Sequence, residues 1–166
     1  MVGMAVLVLA PLIYGIIALN TGDLLWASPV FNFQPQTMVV HCFGENVYLE
    51  AGTAEFVALT RLINQSLTGR KRWDSISLSD LTYEEYQSHP KMMVVELTYP
   101  QPIRVHSRYK FFSNVDRIIV PLVGRHAQSK SVFGRRFDFP IPGSFHADDL
   151  EPIKDYLTEN DLCVEP

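Results

Sequence analysis

The chain opens with an uninterrupted apolar run. From Met1 to Leu19 no side chain is charged, and apart from Gly3, Pro11, Tyr14 and Gly15 the residues are Met, Val, Ala, Leu and Ile. At about 1.5 Å per residue such a run reaches roughly 28 Å as a helix, close to the roughly 30 Å hydrocarbon core of a bilayer, so residues 1–19 are expected to be a transmembrane anchor. No basic residue precedes the run, as a cleaved signal peptide requires. Residues 20–36, with Gly22, Pro29 and Pro35, read as a linker. Leu24, Leu25, Trp26, Val30, Phe31 and Phe33 make this linker unusually apolar, suited to dipping into the membrane interface or to packing on the domain or a partner. The remaining residues, 37–166, have the size of one independently folding domain. Lys and Arg are absent near the run on both sides, so the positive-inside rule gives little guidance. Asp23 and the acids that follow favour a single-pass membrane protein with its bulk outside the cytoplasm.

Within that domain the hydrophobic period changes several times. Alternation over Thr37–Phe43, the turn Gly44-Glu45-Asn46 and a short run Val47–Glu50 predict a hairpin. Thr53 then caps a helix to about Leu67, with Phe56, Leu59, Ile63 and Leu67 on one face. Gly69–Trp73 reads as a basic turn. Thr82-Tyr83-Glu84-Glu85 has the spacing of a capping box for a short helix that ends before Pro90. Lys91–Tyr99, Ile103–Phe111 and Asp116–Val123 read as three strands of an antiparallel meander, divided by Pro100-Gln101-Pro102 and by Ser113-Asn114. A long excursion follows, Gly124–Ser144, with a short strand near Ser131–Phe139. A last helix begins at Asp148-Asp149 and runs to about Glu159, with Leu150, Ile153 and Leu157 facing the core. The fold class expected is α+β: one N-terminal transmembrane helix, then a mainly antiparallel sheet of about five strands covered by two helices.

Charge adds a pattern that hydropathy does not show. The net charge is −4, yet Arg104–Arg136 carries eight bases against one acid, and Phe137–Pro166 carries eight acids against one base. These blocks either face each other in the fold or leave a basic surface for an anionic partner. If Ile103–Phe111 is a strand, Arg104, His106, Arg108 and Lys110 lie on one of its faces as a cationic ladder. Arg117, Arg125 or His126 from neighbouring strands would extend it, and such a surface could hold phosphate, anionic sugar or lipid headgroups through bidentate arginine contacts.

Other chemistry has less support. The five histidines form no H-x-x-x-H or H-E-x-x-H pair, so no metal ligand is assigned. There is no P-loop, no G-x-G-x-x-G, no C-x-x-C and no G-x-S-x-G, hence no expected cofactor and no catalytic residue assigned. A net charge of −4 argues against a nucleic-acid partner. Asn64-Gln65-Ser66 matches a glycosylation sequon but falls inside a predicted helix. Cys42 and Cys163 could close one large loop as a disulfide, or Cys42 could be a buried free thiol.

Three functions fit these observations. The first is a non-enzymatic interaction or accessory domain, anchored to the membrane through residues 1–19, that binds a membrane-protein partner or an anionic ligand. The second is a tethered hydrolase or transferase acting on an anionic substrate through His106 or His126. The third is a structural subunit of a membrane complex. A concave pocket where an imidazole and a carboxylate converge would favour the second, and a flat ladder would count against it.

Overall fold

The computed structural model describes residues 2–165, with side chains from Leu7 onward. In chain order the elements are α1 (Val2–Thr21), β1 (Thr37–Cys42), β2 (Glu45–Leu49), α2 (Ala54–Leu67), β3 (Arg72–Asp74), α3 (Asp80–Ser88), β4 (Met93–Ile103), β5 (Val115–Val123), β6 (Ser131–Arg136), β7 (Phe139–Pro140), β8 (Ser144–His146) and α4 (Glu151–Glu159). All eight strands join one antiparallel sheet in the order β2-β1-β4-β5-β6-β8-β3, with β7 attached to β6.

The class is α+β, but the sheet is larger than the roughly five strands expected, and four helices accompany it rather than two and an anchor. The additional strands β3, β7 and β8 are two or three residues long, too short for a two-residue period to show in sequence. Conversely, the expected strand Ile103–Phe111 does not form. β4 continues through Pro100-Gln101-Pro102 to Ile103, with a register shift against β5 between Thr98 and Ile103 that accommodates the prolines. Beyond Ile103 the chain leaves the sheet and closes a 3-10 turn at Lys110–Ser113.

Strand parity explains where the helices lie. Met38, Val40, Val95, Leu97, Ile118 and Val120 share a core with Phe56, Leu59, Ile63 and Leu67 of α2 and Ile153 and Leu157 of α4. Val94 and Ile119, one residue out of step, face the opposite side and pack with Leu78, Tyr86 and Phe133 beneath α3. The sheet is therefore covered on both faces. α2 is capped by Thr53 and α3 by Ser79, each side chain accepting a first-turn N–H. Gly134 in β6 is set by packing: a Cβ there would lie 2.8 Å from the Phe112 ring.

Among the described residues no helix is long and apolar enough to cross a membrane. This overturns the transmembrane anchor expected of Met1–Leu19, and with it the single-pass location with the bulk outside the cytoplasm. Met1 itself and the side chains of residues 2–6 lie outside the described set. The run forms α1, which continues two residues past Leu19 to Thr21. Its C-terminal turn is fastened to the domain: Ala18 and Thr21 are buried, and Gly22 at φ +63° lets the Asp23 N–H bond the Ala18 carbonyl at 3.1 Å in a Schellman closure. Farther from that junction, Leu7, Val8, Leu9, Leu12, Ile13 and Ile16 are exposed.

Residues 29–36 pack on the domain. Phe31 is fully buried in the main core, and the Asn64 carboxamide bonds both the N–H and the C=O of Phe33 at 3.1 Å. One turn on, the Thr68 hydroxyl does the same for Phe31, at 3.0 and 3.1 Å. Asn64 of α2 and Thr68, the residue that caps its C-terminus, thus serve an extended strap as a partner strand would. Cys42, at the end of β1, is disulfide-bonded to Cys163, just beyond α4.

Candidate functional site

Six residues of the expected ladder separate into four places. Burial still alternates after Ile103: Val105 and Ser107 point inward, while Arg104, His106 and Arg108 point outward. Arg104 donates to the Gly22 carbonyl at 2.8 Å, clamping the end of α1. His106 and Arg108 line a cleft. Lys110 lies past it in the 3-10 turn, its ammonium 5.8 Å from the Phe111 ring.

Arg125 and His126 lie on the α3 side of the sheet. Arg125 pairs with Glu85 at 3.2 Å and bonds the Thr82 hydroxyl. His126, in a left-handed conformation at φ +65°, sits 2.6 Å from the Tyr86 hydroxyl through Nδ1 and packs on Phe133. Burial, helped by the Arg125 charge, pushes its pKa down and favours the neutral ring. Burial likewise pushes the Tyr86 phenol up.

The cleft encloses about 320 Å³ between three segments: Trp26-Ala27-Ser28-Pro29, Gly69-Arg70-Lys71 with Trp73, and His106-Ser107-Arg108. Each wall has a local cause. Asp23 turns the first segment, accepting the Leu25 N–H at 2.9 Å, and Ser28 N–H closes on the Leu25 carbonyl at 2.7 Å. The second segment is joined to the first where Gly69 N–H bonds the Pro29 carbonyl at 2.9 Å. Gly69 has φ +127°, a backbone conformation that favours glycine. The third is a hydroxyl turn in which Ser107 Oγ accepts from Tyr109 N and donates to Tyr109 O.

The lining is cationic, with no carboxylate in it. Lys71 Nζ donates to the carbonyls of Pro29 at 3.2 Å and Gly69 at 3.3 Å. Burial lowers its pKa, with the nearby Asp148 charge acting against that. Arg70 and Arg108 are exposed and make no hydrogen bond or ion pair among the described residues. Trp73 braces the floor, stacked on Tyr109 with ring centroids 4.8 Å apart and planes within 7°.

Behind the lining, His106 Nδ1 lies 3.0 and 3.1 Å from the two carboxylate oxygens of Asp23, which is only 7% exposed. A carboxylate there accepts from Nδ1–H, which leaves the lone pair on Nε2.

A second polar cluster lies beneath α3. Glu96 of β4 accepts from the Tyr83 hydroxyl at 3.0 Å, pairs with Arg117 Nε at 3.3 Å and meets His41 Nε2 at 3.2 Å. His41 Nδ1 lies 2.6 Å from Asn46 Oδ1, and Arg117 donates to the Tyr83 hydroxyl at 2.8 Å. Burial alone would raise the Glu96 carboxyl, but the His41 hydrogen bond, the Arg117 charge and the Tyr83 hydroxyl outweigh it and hold it below its ordinary value. Arg135 adds a guanidinium 4.2 Å from the Tyr83 ring and an ion pair with Asp80 at 3.0 Å. These groups tie α3 to the sheet, although the buried Nε atoms of Arg117 and Arg135 have no hydrogen-bond partner among the described residues. Among the described residues no three His, Cys, Asp or Glu side chains gather as metal ligands.

Sequence reasoning missed Asp23, Trp26, Arg70, Lys71 and Trp73 as site residues. The available signal was the basic turn Gly69–Trp73 together with an indole and an acid in an apolar linker; what joins them is separation in sequence of more than forty residues closed by the fold. No family model, no curated protein and no solved structure matches the chain.

Proposed function

We propose that this chain is a recognition domain that takes a small anionic ligand in the cleft between Trp26, Arg70, Lys71 and Arg108. The observation that carries this reading is the convergence of three cations on one concave site whose lining has no acid, two of them exposed guanidiniums without a partner among the described residues. A guanidinium fork matches the oxygens of a phosphate or carboxylate through paired hydrogen bonds. The half-buried Lys71 adds a charge that burial disfavours until an anion approaches. The volume lies at the low end for ligand pockets, which suits a small ligand rather than an extended polymer.

The test is calorimetric titration of inorganic phosphate and pyrophosphate into the full chain and into an Arg70→Glu, Arg108→Glu variant. Saturable binding to the parent chain, weakened at least about tenfold in the variant and by added salt, is the expected outcome. Equal affinity in both proteins would contradict the reading.

A further inference from the structure

The cleft has one feature that recognition alone does not require. His106 lines it, and its Nδ1 is fixed by a carboxylate that is itself almost wholly buried. Asp23 is held in turn by the Leu25 N–H at 2.9 Å, and the turn that carries it is locked to the end of α1. Nε2 makes no hydrogen bond among the described residues. A buried carboxylate that orients an imidazole and sets its tautomer, with the second nitrogen free beside a cationic cleft, is the arrangement of a general base.

We infer that the Asp23–His106 pair makes this cleft a hydrolytic site for a small phosphate monoester, an inference that rests on the anion-recognition reading above. Three cations with no lining acid match a dianion better than a monoanion, and guanidinium forks match its tetrahedral oxygens. Arg70, Lys71 and Arg108 hold the phosphoryl oxygens and offset the charge that gathers on them in the transition state. His106 Nε2 takes one proton from a water molecule. The water oxygen forms the new bond to phosphorus as the ester P–O bond breaks. The leaving oxygen departs with the bonding pair and takes a proton from solvent, and His106 returns its own to solvent. The products are an alcohol and inorganic phosphate. Asp23 is a positioning residue that stabilises the imidazolium formed on the way. Ser107, although it lies between His106 and Arg108, is no nucleophile here, since its hydroxyl is committed to the Tyr109 backbone.

The experiment uses the full chain with p-nitrophenyl phosphate, measuring both binding and release of p-nitrophenolate. Release is expected to fall about 100-fold or more in His106→Gln, with affinity for inorganic phosphate within about threefold of the parent chain. His106→Ala should regain part of the lost rate when imidazole is added, a recovery that loss of a structural contact would not give. Asp23→Asn should lower kcat and leave KM within a few-fold. If the parent chain binds the ester and does not turn it over, or if His106→Gln turns it over at the parent rate, the catalytic inference falls and recognition stands. If neither the ester nor inorganic phosphate binds, both fall.

Discussion

At the scale of single residues, the cluster around Glu96 shows how a buried charge is made tolerable. Its carboxylate faces His41, Tyr83 and Arg117 from three different elements, so its removal strands groups on all of them. Glu96→Gln keeps the shape and removes the charge, and it should cost roughly 2–3 kcal/mol in urea unfolding at neutral pH. The sign of the pH dependence follows from the depressed carboxyl. Its folded value lies below the ordinary 4.5, so its stabilisation is fully present above that value and is lost as pH falls through the folded one. The gap in stability between the parent chain and Glu96→Gln should therefore narrow on acidification below about pH 4.5, and a gap constant with pH would contradict this account. The cluster was only half legible in sequence. His41 falls in the first expected strand, but the cluster's other members Tyr83, Glu96 and Arg117 lie 42, 55 and 76 positions away and share no local pattern with it.

At the scale of elements, legibility followed length. The hairpin β1–β2, helix α2 with its Thr53 cap, strand β5 and the core face of α4 all follow from periods long enough to read. α3 begins slightly earlier than its capping-box spacing suggests, because Ser79 caps it instead. Arg104–Phe111 has the alternation of a strand, and burial follows it as far as Arg108 before Phe111 turns out to solvent, yet the segment finds no ladder partner, since hydropathy reports which side faces the core and not which backbone lies alongside. The strap over α2 is a similar case: its apolar residues announced packing, but only the fold shows Asn64 and Thr68 acting as its backbone partners. Asn64→Ala should release this strap, costing about 1–3 kcal/mol and accelerating hydrogen exchange at the Phe33 amide while leaving the β4–β5 amides protected. The same engagement of Asn64 leaves its carboxamide unavailable as the sequon's acceptor in the folded chain.

At the scale of the whole molecule, the fold joins distant segments at two points. One is the disulfide between Cys42 and Cys163, 121 positions apart, which staples the chain beyond α4 to the first strand. On a chain-entropy estimate a loop of this length contributes about 4–5 kcal/mol. Reduction, or Cys163→Ser, should lower the urea midpoint accordingly, and an unchanged midpoint would show that the staple adds nothing to the packing of α4. The other is the cleft, where the chain after α1, the turn after α2 and the chain after β4 meet. The two charge blocks noted in sequence contribute unequally to it. Lys130 of the basic block lies 3.9 Å from Asp149 of the acidic one, and other bases of that block pair with α3 or its N-terminal turn, so the cleft draws its cations from Arg70, Lys71 and Arg108.

The chain contains only two tryptophans, Trp26 and Trp73, and both line the cleft, so selectively excited tryptophan emission reports on the site. Titration of pyrophosphate into the full chain, followed at the indole emission, tests the central claim most directly. A saturable change in emission that is lost in the Arg70→Glu, Arg108→Glu variant is the result this account predicts. A saturable change that survives charge reversal, or an emission indifferent to the anion, would contradict it.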